Sequence, residues 1–563
     1  MKFSEMQYQR PDIAAIQEQA ADILRALETA VSAEEQIAAI ERFNALDGHV
    51  STAGSLAYIR HTIDTRDAFY DAENNFIDEN LPLLEESKQK IYHALLASPF
   101  REALEKKYGA VLFLDLEIAA RSFTPALVEL RQKENKLISD YQKLYASALV
   151  EFDGKKLPLP KLGPYQQSPD RAVRKAAYET AGRWFDSQRE ELDRLYDELV
   201  KNRTEQGKLL GYENYVPLGY DRMGRNCYGP KEVAAFREQI VHDVVPLVAK
   251  VKRAQEKRLG VDHLKFWDDV LLFADGNPVP QGTADDILAA GREMYHQLSG
   301  ETGAFIDLLY EGELLDVLSK EGKAPGGYCT EIYDYRAPFI FSNFNGTSGD
   351  VDVLTHEAGH AFESWRAMEK GLLLQQLWPT MDACECHSMS MEFLTAPYHH
   401  LFFGEGTKKY ELAHCEESLT FIPYGCMVDE FQHIMYENPT LTPEQRNGVW
   451  ADLEKKYRPW NDFGDLPFYA RGAHWQRQTH IYGSPFYYID YCMAQTVAFQ
   501  FWMASLKDRD DAWQRYLAFV DRGGTATFEQ LVHGAGLKVP YDPGCMKEVS
   551  EAVGRWLDEN RLV

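Results

Sequence analysis

The chain is expected to be mainly α-helical, with two or more packed lobes and one small β element. Apolar residues recur at three- and four-residue spacing among Glu, Lys, Gln and Ala from about residue 11 to 150, the pattern of amphipathic helices. A single stretch, RAPFIFSNFNG at 336 to 346, combines aromatic and β-branched residues with a following Asn-Gly, which reads as strand then turn. At 563 residues the chain is long for one hydrophobic core.

Taken in order, AAIQEQAADILRALETAV (14 to 31) and QIAAIERFNAL (36 to 46) predict long antiparallel helices whose acidic faces are solvated. FDGKKLPLPKLGPYQQSPD (152 to 170) carries Pro158, Pro160, Pro164 and Pro169 with Gly154 and Gly163, and is expected to be a loop. It sets the expected division into an N-terminal helical region, 1 to 152, and a second region, 153 to 563. Ser168-Pro169-Asp170 is expected to restart a helix, with Ser168 as its cap and Pro169 in its first turn. Helical patterning continues to about residue 320, broken at 211 to 230 and 273 to 282. Pro338 cannot donate a ladder hydrogen bond, so this strand is expected to lie at a sheet edge or to begin beside one.

Composition excludes several classes of partner. A formal charge of −27 argues against nucleic acid and anionic membranes, since both are bound by clustered Lys and Arg. No apolar run is long enough for a membrane span; VLFLDLEIAA is interrupted by Asp115 and Glu117. The start, MKFSEMQYQRPDI, lacks the apolar core of a secretory signal. Eight cysteines without a CxxC pair read as reduced thiols. A cytoplasmic protein is the expectation.

The chemistry is concentrated in VLTHEAGHAFESW, 353 to 365. His356 and His360 are i and i+4 on one helix face, a spacing that lets both imidazoles reach one ion. Glu357 lies about 100° round the helix, placed to hold a water without itself binding the metal. Asp350 and Asp352 mark the helix start and Gly371 its end, with Leu354, Ala358, Ala361 and Trp365 as the buried stripe. From this composition a chance HExxH is expected roughly 0.05 times or fewer. A catalytic zinc needs a third protein ligand. Glu363, one turn past His360, is a local candidate. MDACECHSMSMEF (381 to 393) offers another, because Asp382, Glu385 and Glu392 share a helix face; Glu385 could reach the ion and Asp382 could orient an imidazole.

HExGH followed about 25 residues later by a Glu, with another Glu seven further on, resembles the M3 family of zinc oligopeptidases. The likeness is greatest to its oligoendopeptidase F-like members, with thimet oligopeptidase more distant. His356, Glu357, Gly359, His360, Glu385 and Glu392 match that pattern. SPDRAVRKAAYE (168 to 179), PFIFSNFNGTSGDVDVLTHEAGH (338 to 360) and HIYGSPFYYIDY (480 to 491) extend the likeness over roughly 155 to 555. The resemblance implies two mostly helical lobes around a deep substrate channel, a small sheet beside the zinc helix, and one zinc held by His356, His360 and Glu385. It implies hydrolysis of short, unfolded oligopeptides, with Glu357 as general base and then acid. Donors to the oxyanion come from the late segment, at His480, Tyr488 and Tyr491. An extended peptide is expected to add to the strand around Phe339 to Phe344, with Gly326-Gly327-Tyr328 as a loop over the cleft. Gly359 is expected either to admit a neighbouring strand or helix or to serve ordinary tight packing, and Cys384 and Cys386 to be buried, inert thiols.

Two rivals keep different chemistry in view. ExxH pairs at Glu357-His360, Glu411-His414 and Glu430-His433 have the spacing of a di-iron carboxylate protein. A non-catalytic peptide-binding protein could use the same cleft.

Overall fold

The computed structural model describes residues 1–561. Helices dominate, as expected. Helix α1 (Ile13–Thr29) begins at Asp12, whose carboxylate accepts the N–H of Ala15, and α2 (Ala33–Ile63) begins at Ser32, which accepts that of Glu35. The buried stripe of α1 is Ile16, Ala20, Ile23 and Leu27. Most of it meets Ile40 and Phe43 of α2, Ile91 and Leu95 of α3 (Pro82–Leu96), and Leu112 and Leu116 of α4 (Ala110–Arg121) in one apolar cluster. The run VLFLDLEIAA is therefore a core helix; among the described residues no helix is long and apolar enough to cross a membrane.

The proline-rich stretch differs from the expected loop. Strands β1 (Leu149–Phe152) and β2 (Lys155–Pro158) pair antiparallel, with Phe152 opposite Lys155. Their connection, Asp153-Gly154, has φ of 52° and 70°. A two-residue hairpin of the I′ type needs both in the left-handed region, which Asp-Gly supplies. The prolines fall where they do no damage: Pro158 ends β2, and Pro160 and Pro164 sit in the first turns of two four-residue helical segments. Helix α5 (Arg171–Ser187) follows. Its cap is Asp170, which accepts the N–H of Ala172 at 2.9 Å; Ser168 instead accepts the N–H of Asp170 at 3.2 Å.

The chain packs as two compact units. One comprises residues 1–121, 279–407 and 497–538; the other comprises 122–278, 408–496 and the stretch from 539 onward.

The first unit holds a three-stranded sheet of β3 (Leu315–Leu318), β4 (Tyr328–Ile332) and β5 (Ala337–Phe344), in the order β3-β5-β4. Strand β5 runs parallel to β3 and antiparallel to β4, so it is the central strand and not the edge predicted from Pro338. Pro338 is tolerated because it stands second in the strand, opposite Glu331, and the N–H of Ile340 reaches the carbonyl of Leu314 at 3.0 Å. Central placement also explains why seven of the eight β5 residues are buried. The edge beside it is β4.

From β5 the chain turns directly into α6 (Gly349–Glu369). The buried Asp350 carboxylate accepts the N–H groups of Asn345 and Gly346 at 2.7–3.1 Å, tying the strand's end to the helix's start. Gly371, at φ 70°, closes α6, with the N–H of Leu372 returning to the carbonyl of Ala367. Helix α7 (Met381–Leu394) packs across α6 at Gly359. A Cβ there would lie 2.6 Å from the Ser388 Cα and 2.7 Å from the His387 carbonyl oxygen. Glycine at 359 is what lets the two backbones approach.

Candidate active site

Helix α6 presents His356 and His360 one turn apart, and α7 brings Glu385 to them. One donor atom from each lies within 4.8 Å of the others. The Glu385 Oε2 is 3.3 Å from His356 Nε2 and 3.5 Å from His360 Nε2. Two ligands each about 2.0–2.1 Å from a tetrahedral zinc stand about 3.4 Å apart, so the donor set fits zinc in both chemistry and spacing. Among the described residues this is the only group of three or more His, Cys, Asp or Glu side chains arranged so.

The orientation of the first imidazole is fixed from behind. His356 Nδ1 is 2.7 Å from Glu392 Oε1. A carboxylate only accepts, so Nδ1 carries a proton, and once Nε2 gives up its own it is Nε2 that can offer a lone pair to a metal beside Glu385. Burial alone would lower the pKa of His356, but the carboxylates on either side raise it well above the usual range. The same negative surroundings favour a divalent cation. Asp382, expected to orient an imidazole, has its Oδ1 engaged by the Thr380 hydroxyl and the Ala383 N–H; Glu392 holds His356. Burial works against ionised Glu385, yet His356 and His360 hold its pKa far below the usual carboxylate range.

Glu357 follows His356 and is half-buried. Burial pushes its pKa up, against the opposing pull of His356 and His360. The approach to β4 passes over it: a Cβ on Gly327 would stand 3.7 Å from Glu357 Oε1. Asn343 pins that approach by donating to the carbonyls of Ala324 and Gly326 at 2.8 and 2.9 Å. Glu363 is not part of the cluster. It is fully buried, and burial, with the nearby Glu331, pushes its pKa well up. Cys384 and Cys386 are buried, and burial pushes both thiols well up, so neither forms a thiolate readily. All eight cysteines are thiols outside any disulfide.

His480, Tyr488 and Tyr491 come together in the second unit. The His480 ring centroid is 5.0 Å from that of Tyr488 and 6.4 Å from that of Tyr491. Tyr487 joins them, receiving a hydrogen bond from the Tyr491 hydroxyl at 2.8 Å. Sequence reasoning missed Gln478. Its Oε1 accepts from the Tyr424 hydroxyl at 2.8 Å, which turns its amide nitrogen toward His480 Nδ1 at 2.9 Å. The Gln478 amide therefore donates to Nδ1, and the ring proton sits on Nε2. Burial lowers the His480 pKa and raises that of Tyr488, so the histidine is neutral and the tyrosine a donor at pH 7. A glutamine two residues from a histidine carries no signal in sequence.

The Glu430-His433 pair has different work. The His433 Nε2 is 3.0 Å from the Tyr220 hydroxyl, and Glu430 is paired with Lys456 at 2.6 Å. Neither it nor the Glu411-His414 pair contributes to a second cluster of metal-binding geometry among the described residues.

Comparison with known proteins identifies the family. Residues 3–123 match the Peptidase M3 N-terminal domain, and residues 164–271 and 292–550 match Peptidase family M3. A crystal structure described as an oligoendopeptidase F is similar at 48% identity and a TM-score of 0.94, covering 99% of both chains. PZ peptidase A, solved with an inhibitor, is similar at 46% identity and a TM-score of 0.94, again over 99% of each chain. Oligopeptidase PepF of Bacillus subtilis is 24% identical over 402 residues, 68% of this chain, and the match spans 57% of PepF's own length. The chain belongs to peptidase family M3, a family of metallopeptidases.

Proposed function

We propose that the chain is a zinc-dependent endopeptidase of the cytoplasm that hydrolyses short, unfolded oligopeptides, with one zinc held by His356, His360 and Glu385. The observation that carries this reading is the triangle of donors from two crossing helices, with Glu392 fixing the tautomer of His356. Zinc at such a site supplies Lewis acidity, polarising a carbonyl and acidifying water. Glu357 takes the proton of the attacking water and delivers it to the leaving amine. A carboxyl raised by burial suits a group that must both accept and return a proton near neutrality.

By the family resemblance, the oxyanion donors are the Nε2–H of His480 and the hydroxyls of Tyr491 and Tyr488. Neutral His480, with Nδ1 occupied by Gln478, donates in one direction only. An extended peptide adds to β4, the edge strand beside Glu357, and not to β5, whose two sides are already paired. Main-chain pairing reads few side chains, which fits a broad specificity. The substrate class follows from the names of the similar proteins, and the limit to short, unfolded chains from the channel that the family resemblance implies.

Digestion of a mixed oligopeptide library with and without chelator tests the reading. Cleavage should require metal, with one zinc per chain. Glu357→Gln should lower kcat by about 10³-fold or more while the zinc content stays at one. Full activity in that variant would mean that Glu357 is not the general base.

A further inference from the structure

The turn that presents the tyrosines is held in a conformation its residues do not favour. Phe486 has φ 67°, the left-handed region, which a bulky aromatic residue rarely adopts. It stands two residues before Tyr488, the first residue of α8 (Tyr488–Ser505). Such a conformation persists only where the surroundings over-determine it.

Three contacts do so. The Phe486 ring is fully buried and lies against Gly219, where an added Cβ would stand 2.5 Å from its Cδ2. Tyr220, His433 and Tyr436 surround the ring at centroid distances of 5.5, 4.9 and 5.5 Å. The Phe486 N–H donates to Gln432 Oε1 at 3.1 Å. On the carbonyl side stands Arg225. Its Nη2 donates both to the Phe486 carbonyl oxygen and, at 2.8 Å, to Asp490 Oδ1. One nitrogen thus bridges the residue before Tyr487 and the first turn of α8.

Arg225 is costly to keep there. Its side chain is 1% exposed and that of Asp490 2% exposed. Among the described residues, the Arg225 Nε and Nη1 have no hydrogen-bond partner, and the guanidinium lies over the Tyr220 ring at 4.3 Å instead. Removing this charge from water is repaid only by a geometry worth holding.

We propose that Arg225 is a positioning residue. It clamps the Phe486–Asp490 turn in its left-handed form and so sets the aim of Tyr487, Tyr488 and Tyr491. This rests on the catalytic role proposed for Tyr488 and Tyr491.

The test uses the zinc-loaded full chain. Arg225→Gln should lower kcat about 100-fold with KM within about threefold, and Arg225→Lys should recover about tenfold of that loss. Affinity for a phosphinic peptide, which mimics the tetrahedral intermediate, should fall in parallel with kcat/KM. Peptide affinity of the Glu357→Gln background should not change when Arg225→Gln is added. Tyr488→Phe on top of Arg225→Gln should cost much less than it does alone, because both act through one group. Amide exchange over residues 484–491 should quicken in Arg225→Gln whether or not the chain cleaves peptide, which separates the clamp from the function it serves. Unchanged exchange over that turn, a wild-type kcat, or additive losses in the double variant would overturn it. If Arg225→Gln does not fold, the Arg225→Lys protein is read by the same exchange and kcat criteria.

Discussion

Glu392 shows how one side chain governs a neighbour's chemistry. Its carboxylate accepts the Nδ1 proton of His356, leaving Nε2 free for a metal. Glu392→Gln presents an amide that can also offer a donor, so the tautomer is no longer imposed. Zinc affinity should fall about 10- to 100-fold in a competition titration, with the melting temperature of the metal-free protein little changed. Unaltered affinity would mean that His356 is oriented by something else. The ligands themselves are legible as residues: HExxH follows from helical spacing, and Glu385 from spacing together with the family resemblance. Which acid orients which imidazole is not, since three acids on one face are equivalent in sequence. Which of them reaches the imidazole depends on where α7 crosses α6.

That crossing is set by Gly359, and the helix is the scale at which its effect is argued. Gly359→Ala places a methyl 2.6 Å from the Ser388 Cα, so α7 must move away and take Glu385 with it. The expected outcome is a loss of about 1–3 kcal/mol in stability and a weaker metal site, seen by thermal melting and zinc titration. Gly448→Ala is the control. That helical glycine is exposed with nothing within 4 Å, so alanine should stabilise by up to about 1 kcal/mol. Equal responses at the two positions would argue against a close crossing at 359. Elements with strong periodicity, such as α1 and α2, are readable because each residue's face repeats. The Asp153-Gly154 hairpin is hidden by a dense run of prolines, and Pro338 points to an edge although only one N–H is missing from a strand paired on both sides. Local rules give the type of an element more securely than its neighbours.

At the scale of the molecule, buried carboxylates link the fold to pH. In the second unit, burial would raise Glu134, but Arg203 and Arg222 overcome it and hold the pKa at about 2. Glu454 is likewise held at about 2 against burial, by Arg458 and His474. Both values lie below the usual 4.5, so the stabilisation is complete above pH 4.5 and is lost as pH falls from there toward 2. Each contributes on the order of 3 kcal/mol. Melting of the metal-free protein should therefore drop steeply between pH 4.5 and 2, and Glu134→Gln, less stable at pH 7, should show a shallower dependence over that range. An equal slope in the variant would refute the linkage. The expected division after residue 152 is a division of sequence, whereas each compact unit is assembled from three separate stretches of chain. Hydrophobic periodicity is local and carries no record of which distant stretches will meet. One consequence concerns synthesis. The first unit includes residues 497–538 and the second the stretch from 539 onward, so each core waits for its last stretch to be made before it can close. Until that stretch emerges the earlier apolar faces have no partner, an interval in which chaperones would find their binding sites open.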